Sequence, residues 1–285
     1  MIKKYVYITI AILLNISCED VIEVEVPSEK SRLVIDALIR IDPSLDMIDV
    51  AIKASESASF FDSVQPANLT EISLRNIDTS PGNPFILAPS ATEAGTYEAS
   101  IPRTFFTQGR LVLSIFYNNE TYVSLTNYVP APDIDSITQS VTTLFGEDQT
   151  ELEISFTDLA NRDDYYLFDF DFNEYLTIED EFFQNQQFVF SYFYEDRLEV
   201  DRALNISILG ISFEFFDYMN QVIAQSGQTQ GPFQTPAGTV LGNIINVTDT
   251  DFGSIESLED IVPNTHFPLG YFAVCETYKK TIIIE

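Results

Sequence analysis

The chain has 285 residues and a formal net charge of −30 at pH 7, with 44 acidic and 14 basic residues. A surface with this charge repels phosphate backbones and anionic headgroups, so we expect no nucleic-acid partner. Disordered acidic chains are poor in apolar residues, whereas this one is 45% hydrophobic and 13% aromatic. We therefore expect a folded protein of one large or two ordinary domains.

The N-terminus has the pattern of an export signal. Lys3 and Lys4 precede an apolar run over residues 5–16, which is shorter than the roughly 20 residues that span a bilayer. The run ends at Ser17-Cys18, which resembles the lipobox of bacterial lipoproteins, in which the cysteine is acylated and becomes the first residue. We therefore predict a signal peptide over residues 1–17.

Acylation of Cys18 would hold the folded part on a membrane, because each buried methylene of an acyl chain contributes about 0.8 kcal/mol. Residues 18–31 then form a lipidated tether, and Cys275 is left without a disulfide partner in its own chain. Asn15 occupies the position where a lipobox usually has an apolar residue. The alternative is therefore an ordinary secretory signal with an incidental cysteine.

Residues 32–129 show the short β-branched runs and frequent turn signals of an immunoglobulin-like β-sandwich. Turns are indicated at 42–44, 62–68 and 78–84, and Asn118-Asn119 predicts a tight hairpin. The predicted strands are 33–41, 47–55, 69–77, 85–88, 95–101, 110–117 and 120–126.

Two prolines within residues 128–133 indicate a linker to a second antiparallel β domain, a sandwich or barrel-like unit over residues 130–285. Phe168, Phe170 and Phe172 alternate with polar residues and predict one apolar strand face. Apolar residues at helical spacing predict one amphipathic helix near 212–226, capped by Ser212. The predicted strands of this domain are 152–156, 165–175, 187–194, 204–211, 240–247, 269–275 and 281–284. The fold class is thus all-β with one helix.

Several segments together are similar to a family of uncharacterised outer-membrane lipoproteins of Bacteroidota, the domain of unknown function 4249. They are the acidic leader CEDVIEVEVP after Cys18, the strand LVIDALI, the segment FDYMNQ, the loop GPFQTPAG, the strand GNI and the strand LGYFAV. The resemblance covers nearly the whole chain, and it depends on the order and spacing of these segments.

The family resemblance implies a location and a role. Its members are often encoded beside a TonB-dependent outer-membrane receptor, which implies an accessory role in import or receptor assembly. Acidic residues directly after the lipidated cysteine resemble the signal that sends lipoproteins of these bacteria to the cell surface. Glu19 and Asp20 fit that signal. No basic residue lies among the acids, so the periplasmic face stays an alternative.

Candidate catalytic and metal-binding residues are few. His266 is the one histidine, and a Cys275–His266 pair would be a nucleophile with its base. Cys275 lies in an apolar strand, which favours a small core residue. Calcium ligands are suggested weakly by Asp249 and Asp251, with further acids at 169–173 and 179–181. Solvated turns and sheet faces are the favoured explanation, since acids in such positions need no metal.

We therefore expect a non-enzymatic, lipid-anchored outer-membrane protein that assists a TonB-dependent receptor in nutrient import. No catalytic residue and no cofactor is assigned, and the ligand-binding residues are unknown. The alternative is a stand-alone surface protein that binds glycans or peptides, because aromatic residues are plentiful among the predicted strands.

Overall fold

The computed structural model describes residues 31–58, 62–144, 147–194, 197–226, 238–250 and 267–285. These residues form a mostly β structure with one α-helix, as the sequence predicts. The strands are β1 (Leu33–Ile41), β2 (Met47–Glu56), β3 (Gln65–Pro66), β4 (Glu71–Asn76), β5 (Ser80–Ile86), β6 (Ala88–Pro89), β7 (Thr96–Pro102), β8 (Arg110–Tyr117), β9 (Glu120–Val129), β10 (Ile134–Leu144), β11 (Glu147–Thr157), β12 (Tyr165–Asp169), β13 (Tyr175–Glu179), β14 (Gln187–Phe193), β15 (Ala203–Ile211), β16 (Ile245–Asn246) and β17 (Leu269–Ile283). The helix is α1 (Phe213–Gln225), and Arg103–Phe105 forms a 3₁₀ turn.

The first sandwich packs two sheets around one apolar core. One sheet has the strand order β6-β7-β2-β1-β17 and the other β5-β4-β8-β9. Strand β1 shows why they pack: Ile35, Ile39 and Ile41 alternate with more exposed residues and point into the core. The two sheets adjoin where Tyr128 of β9 pairs with Val274 of β17.

The second sandwich has an aromatic core. The sheet β10-β11-β14 packs over the strands β13-β12-β15-β17. Phe156 lies at the centre, with the rings of Tyr166 and Phe168 at 5.1 and 5.5 Å between centroids. Buried aromatic pairs at these distances add to the hydrophobic stabilisation.

Strand β17 belongs to both sandwiches. Its first half, from Leu269 to Glu276, runs parallel to β1, and its second half, from Thr277 to Ile283, runs antiparallel to β15. The prediction of two separate strands at 269–275 and 281–284 is therefore wrong, because the intervening residues continue the ladder. Ser31–Glu285 forms one compact unit; the boundary near residue 130 stays a prediction.

Other details also differ from the sequence prediction, and the strand predicted over 240–247 is reduced to the two residues of β16. The strand predicted over 165–175 stops at Asp169, because Asp171, Phe172 and Asn173 have φ of 67, 53 and 63°. The Asp169 carboxylate accepts a hydrogen bond from the Asp171 N–H at 3.0 Å and holds this turn. Strand β5 begins inside the predicted turn 78–84, and β10, which is rich in Ser and Thr, was not predicted.

The predicted hairpin and helix are confirmed. Asn118 and Asn119 have φ of 49 and 64°, and Tyr117 pairs with Glu120 across them, as a two-residue turn with positive φ requires. Helix α1 begins after Ser212, whose hydroxyl accepts from the Phe215 N–H at 3.3 Å. The helix packs on the outer face of β12 and β15.

A short segment from the GNI motif joins β17 through its side chain. The Asn243 amide donates to the Phe272 carbonyl and accepts from the Phe272 N–H, each at 2.8 Å. A Cβ on Gly242 would lie 1.5 Å from the Gly270 carbonyl oxygen, and one on Gly270 would lie 1.8 Å from that of Ile35. Close backbone approach therefore requires both glycines.

Candidate functional site

A pocket of about 340 Å³ lies beneath α1, at the place where the helix crosses β1 and β17. Its size is within the usual range of small-molecule sites. Strands β1 and β2 form one wall with their outward side chains, and α1 forms the opposite wall. The lining residues are Val34, Ile35, Asp36, Leu38, Arg40, Ala51, Lys53, Leu167, Tyr175, Phe215, Tyr218, Met219, Val222, Gly270 and Tyr271.

The interior of the pocket is aromatic. Tyr271 of β17 contacts two rings of α1, with centroids 4.7 Å from Phe215 and 4.9 Å from Tyr218. Burial raises the pKa of Tyr271 to about 12, so its hydroxyl stays protonated at neutral pH. Met219 of α1 extends the apolar surface, and its thioether adapts to irregular contacts. The interior therefore suits an apolar or aromatic group.

The charged residues at the pocket are largely compensated. Arg40 donates to the Asp169 carboxylate at 2.6 Å, and Lys53 pairs with Glu93 at 2.8 Å. The hydrogen bond to Glu93 is the main cause of the raised pKa of Lys53. Asp36 is the third charged residue of the lining. Because both cations have partners, the pocket has no strong preference for an anionic ligand.

None of the predicted site residues that the structure describes lines the pocket. Cys18, Glu19, Asp20 and Asp251 are outside the described residues. Asp249 lies exposed in a turn after β16. The calcium pair Asp249/Asp251 stays a prediction.

Cys275 is a core residue, as predicted. It is 1% exposed and packs with Leu209 and Met219 behind the pocket. Burial raises the pKa of its thiol to about 12. The thiolate is the reactive form of cysteine, so Cys275 is a poor nucleophile. His266 is outside the described residues.

Sequence reasoning missed the pocket because its walls are distant in the chain. The helical face with Phe215, Tyr218 and Met219 is visible in the periodicity, and so is the alternation of β1. The pairing of β1 with β17 brings Leu38 to the same pocket as Met219. No local pattern predicts a parallel pair between residues more than 200 positions apart.

In the part of the chain that the structure describes, none of the helical segments has the length and apolarity needed to cross a bilayer. The comparison with curated proteins found no matching relative. The profile of a family described as a domain of unknown function, DUF4249, matches residues 19–254. This match includes β1, α1 and all of the strands between them. The chain therefore belongs to the DUF4249 family, as its segments indicated.

Proposed function

We propose that the protein is a non-enzymatic outer-membrane lipoprotein that assists a TonB-dependent receptor in nutrient import. Acyl chains on Cys18 would hold it beside the receptor, and the pocket beneath α1 would hold a small apolar ligand. The pocket is the observation that carries the proposal, since it combines a ligand-sized volume with an apolar interior and a few polar groups.

A binding role also agrees with the state of Cys275. An enzyme that used covalent catalysis would need an accessible, activated nucleophile, whereas this thiol is buried and has a raised pKa. The lining of the pocket supplies rings and aliphatic groups, which bind by excluding water. Its polar groups would orient a ligand.

The experiment is a titration of the full chain with the neutral apolar fluorophore N-phenyl-1-naphthylamine, in detergent kept below its critical micelle concentration, because micelles would take up the fluorophore. Val222 lines the pocket, and Val222→Trp is expected to fill it and weaken binding at least tenfold. Gln221 is exposed on the same helix, so Gln221→Trp is the matched control and should bind like the parent. Equal affinity of Val222→Trp and the parent, with both folded by circular dichroism, would refute the assignment of the pocket.

The stand-alone glycan or peptide binder is the second candidate. Three tyrosines, Tyr175, Tyr218 and Tyr271, line the pocket, and tyrosine combines a ring face with a hydrogen-bonding hydroxyl. This role needs no receptor. Co-purification from membranes separates the two candidates, because only the accessory role requires a receptor at a near-equal amount.

A further inference from the structure

Three buried aspartates from separate segments meet at one end of the second sandwich. Asp158 directly follows β11, Asp164 directly precedes β12, and Asp180 directly follows β13. Their exposed fractions are 4, 4 and 2%. One carboxylate oxygen from each lies within 4.8 Å of the other two. Buried carboxylates normally have cationic or hydrogen-bonding partners, so the partners of each one matter.

Two of the aspartates have partners on both oxygens. Asp158 accepts hydrogen bonds from the Tyr166 hydroxyl and, at 2.8 Å, from the Asn185 N–H. Asp164 forms a two-point ion pair with Arg162, with Nε–Oδ2 at 2.8 Å and Nη2–Oδ1 at 2.5 Å. These contacts hold both carboxylates in fixed orientations.

Asp180 differs from the other two aspartates. Its Oδ2 atom is buried and has no hydrogen-bond partner, although its carboxylate belongs to the cluster. The backbone holds the residue in place, since its N–H donates to the Asp164 carbonyl at 3.1 Å and its carbonyl accepts from Phe183 at 3.0 Å. A buried carboxylate oxygen without a hydrogen-bond donor destabilises the folded state unless a cation binds to it.

The charges of the cluster do not balance. Among the residues that the structure describes, Arg162 is the cation that contacts the cluster. One guanidinium beside three carboxylates leaves two negative charges. Arg162 also donates to the Pro130 carbonyl at 2.9 Å, which fixes its position. Burial is the main cause of the raised pKa of both Asp164 and Asp180, and the neighbouring carboxylates add to it.

We propose that Asp158, Asp164 and Asp180 hold a divalent cation, Ca²⁺. Calcium binds carboxylate oxygens at about 2.3–2.6 Å, so two oxygens on one ion lie at most about 5.2 Å apart. The three aspartates meet this limit, and the ion's charge equals the charge left over. Ligands made only of oxygen favour Ca²⁺ over zinc or copper. Mg²⁺ requires shorter bonds and a stricter octahedron.

The position of the site implies a structural role. Asp158 directly follows β11 of the β10-β11-β14 sheet. Asp164 and Asp180 flank the β12-β13 hairpin of the opposing sheet. A cation bound to all three joins the two sheets of the second sandwich at this end. Because the unfolded chain lacks the site, binding stabilises the folded state.

The test is calorimetry and thermal unfolding of the full chain in mild detergent, after treatment with a chelator. With CaCl₂ in about 150 mM NaCl, which screens the acidic surface, the parent should bind one ion. At 100 times Kd its Tm should rise by roughly 5 °C or more. Asp180→Asn should weaken binding at least tenfold and lose the rise. Without Ca²⁺ its Tm should equal or exceed that of the parent, since the amide removes an unpartnered charge.

Glu181→Gln is the matched control, because Glu181 is the exposed neighbour of Asp180 and should bind Ca²⁺ like the parent. Terbium provides a measurement that needs no variant: Tyr166 contacts the site through Asp158 and should sensitise Tb³⁺ emission that CaCl₂ displaces. The absence of saturable, displaceable emission in the parent would overturn the proposal. Binding by Asp180→Asn as tight as in the parent would overturn it too, because surface carboxylates would then be the ligands.

Discussion

Cys275 is the residue for which sequence and structure agree most closely. Its buried thiol, with a pKa of about 12, is about one ten-thousandth thiolate at pH 8. We predict that 5,5′-dithiobis(2-nitrobenzoic acid) leaves Cys275 of the folded chain unmodified for hours and modifies it within minutes in 6 M guanidinium chloride. Because burial raises the pKa, the protection should persist up to about pH 10. Rapid modification of the folded chain would show that the thiol is accessible.

Cys18 carries the opposite expectation, since the role proposed for it depends on acylation of its thiol. In Cys18→Ala the acyl chains cannot attach, and their removal abolishes the hydrophobic anchor. We predict that this variant leaves the membrane fraction and is recovered in soluble fractions. The measurement is fractionation with immunoblotting, together with protease accessibility on intact cells for the parent. If the variant sediments with membranes as the parent does, the prediction of an acyl anchor on Cys18 is wrong.

At the scale of elements, the β8–β9 hairpin offers a direct test of local sequence reasoning. Asn119 has a φ of 64°, a region that costs residues with a Cβ about 1–2 kcal/mol and Asn less. Asn119→Ala should therefore lower the free energy of unfolding by about 1 kcal/mol, measured by urea denaturation. Asn119→Gly should be at least as stable as the parent. The opposite order would contradict the turn assignment.

Elements with a complete local signal could be predicted from the sequence. Strand β1 alternates over its whole length, Asn118-Asn119 specifies its own turn, and α1 has both a cap and an apolar face. The errors occur where local composition misleads. Strand β10 has a polar sequence because Ser and Thr occupy its outward positions. Strand β12 stops early because Asp171 and Asn173, on either side of Phe172, readily adopt positive φ.

The candidate sites could not be predicted, for a different reason. The pocket joins residues of β1 to residues of α1, and the aspartate cluster joins three strand ends. Acids at 179–181 were visible in the sequence, yet Asp180 meets Asp158 and Asp164 rather than its own neighbours. Pairing between strands that are distant in the chain brings the residues of both sites together. No local pattern in the sequence indicates that pairing.

At the scale of the whole molecule, β17 makes the two sandwiches interdependent. Its residues pair with β1 and then with β15, so unfolding of either sandwich removes a pairing partner of this strand and weakens the other sandwich. We predict one cooperative urea transition for residues 31–285. Hydrogen exchange followed by mass spectrometry should show β8 and β11 losing protection at the same urea concentration. Separate transitions would contradict this.

The central claim is that the protein works beside an outer-membrane receptor. The pocket and the buried thiol of Cys275 support a binding role, and the receptor is the partner that we propose for it. The most direct measurement is purification of the tagged full chain from its native membranes in mild detergent, followed by mass spectrometry of co-purified proteins. The account predicts a TonB-dependent β-barrel receptor in near-equal amount. Recovery of the chain without a stoichiometric receptor would contradict it.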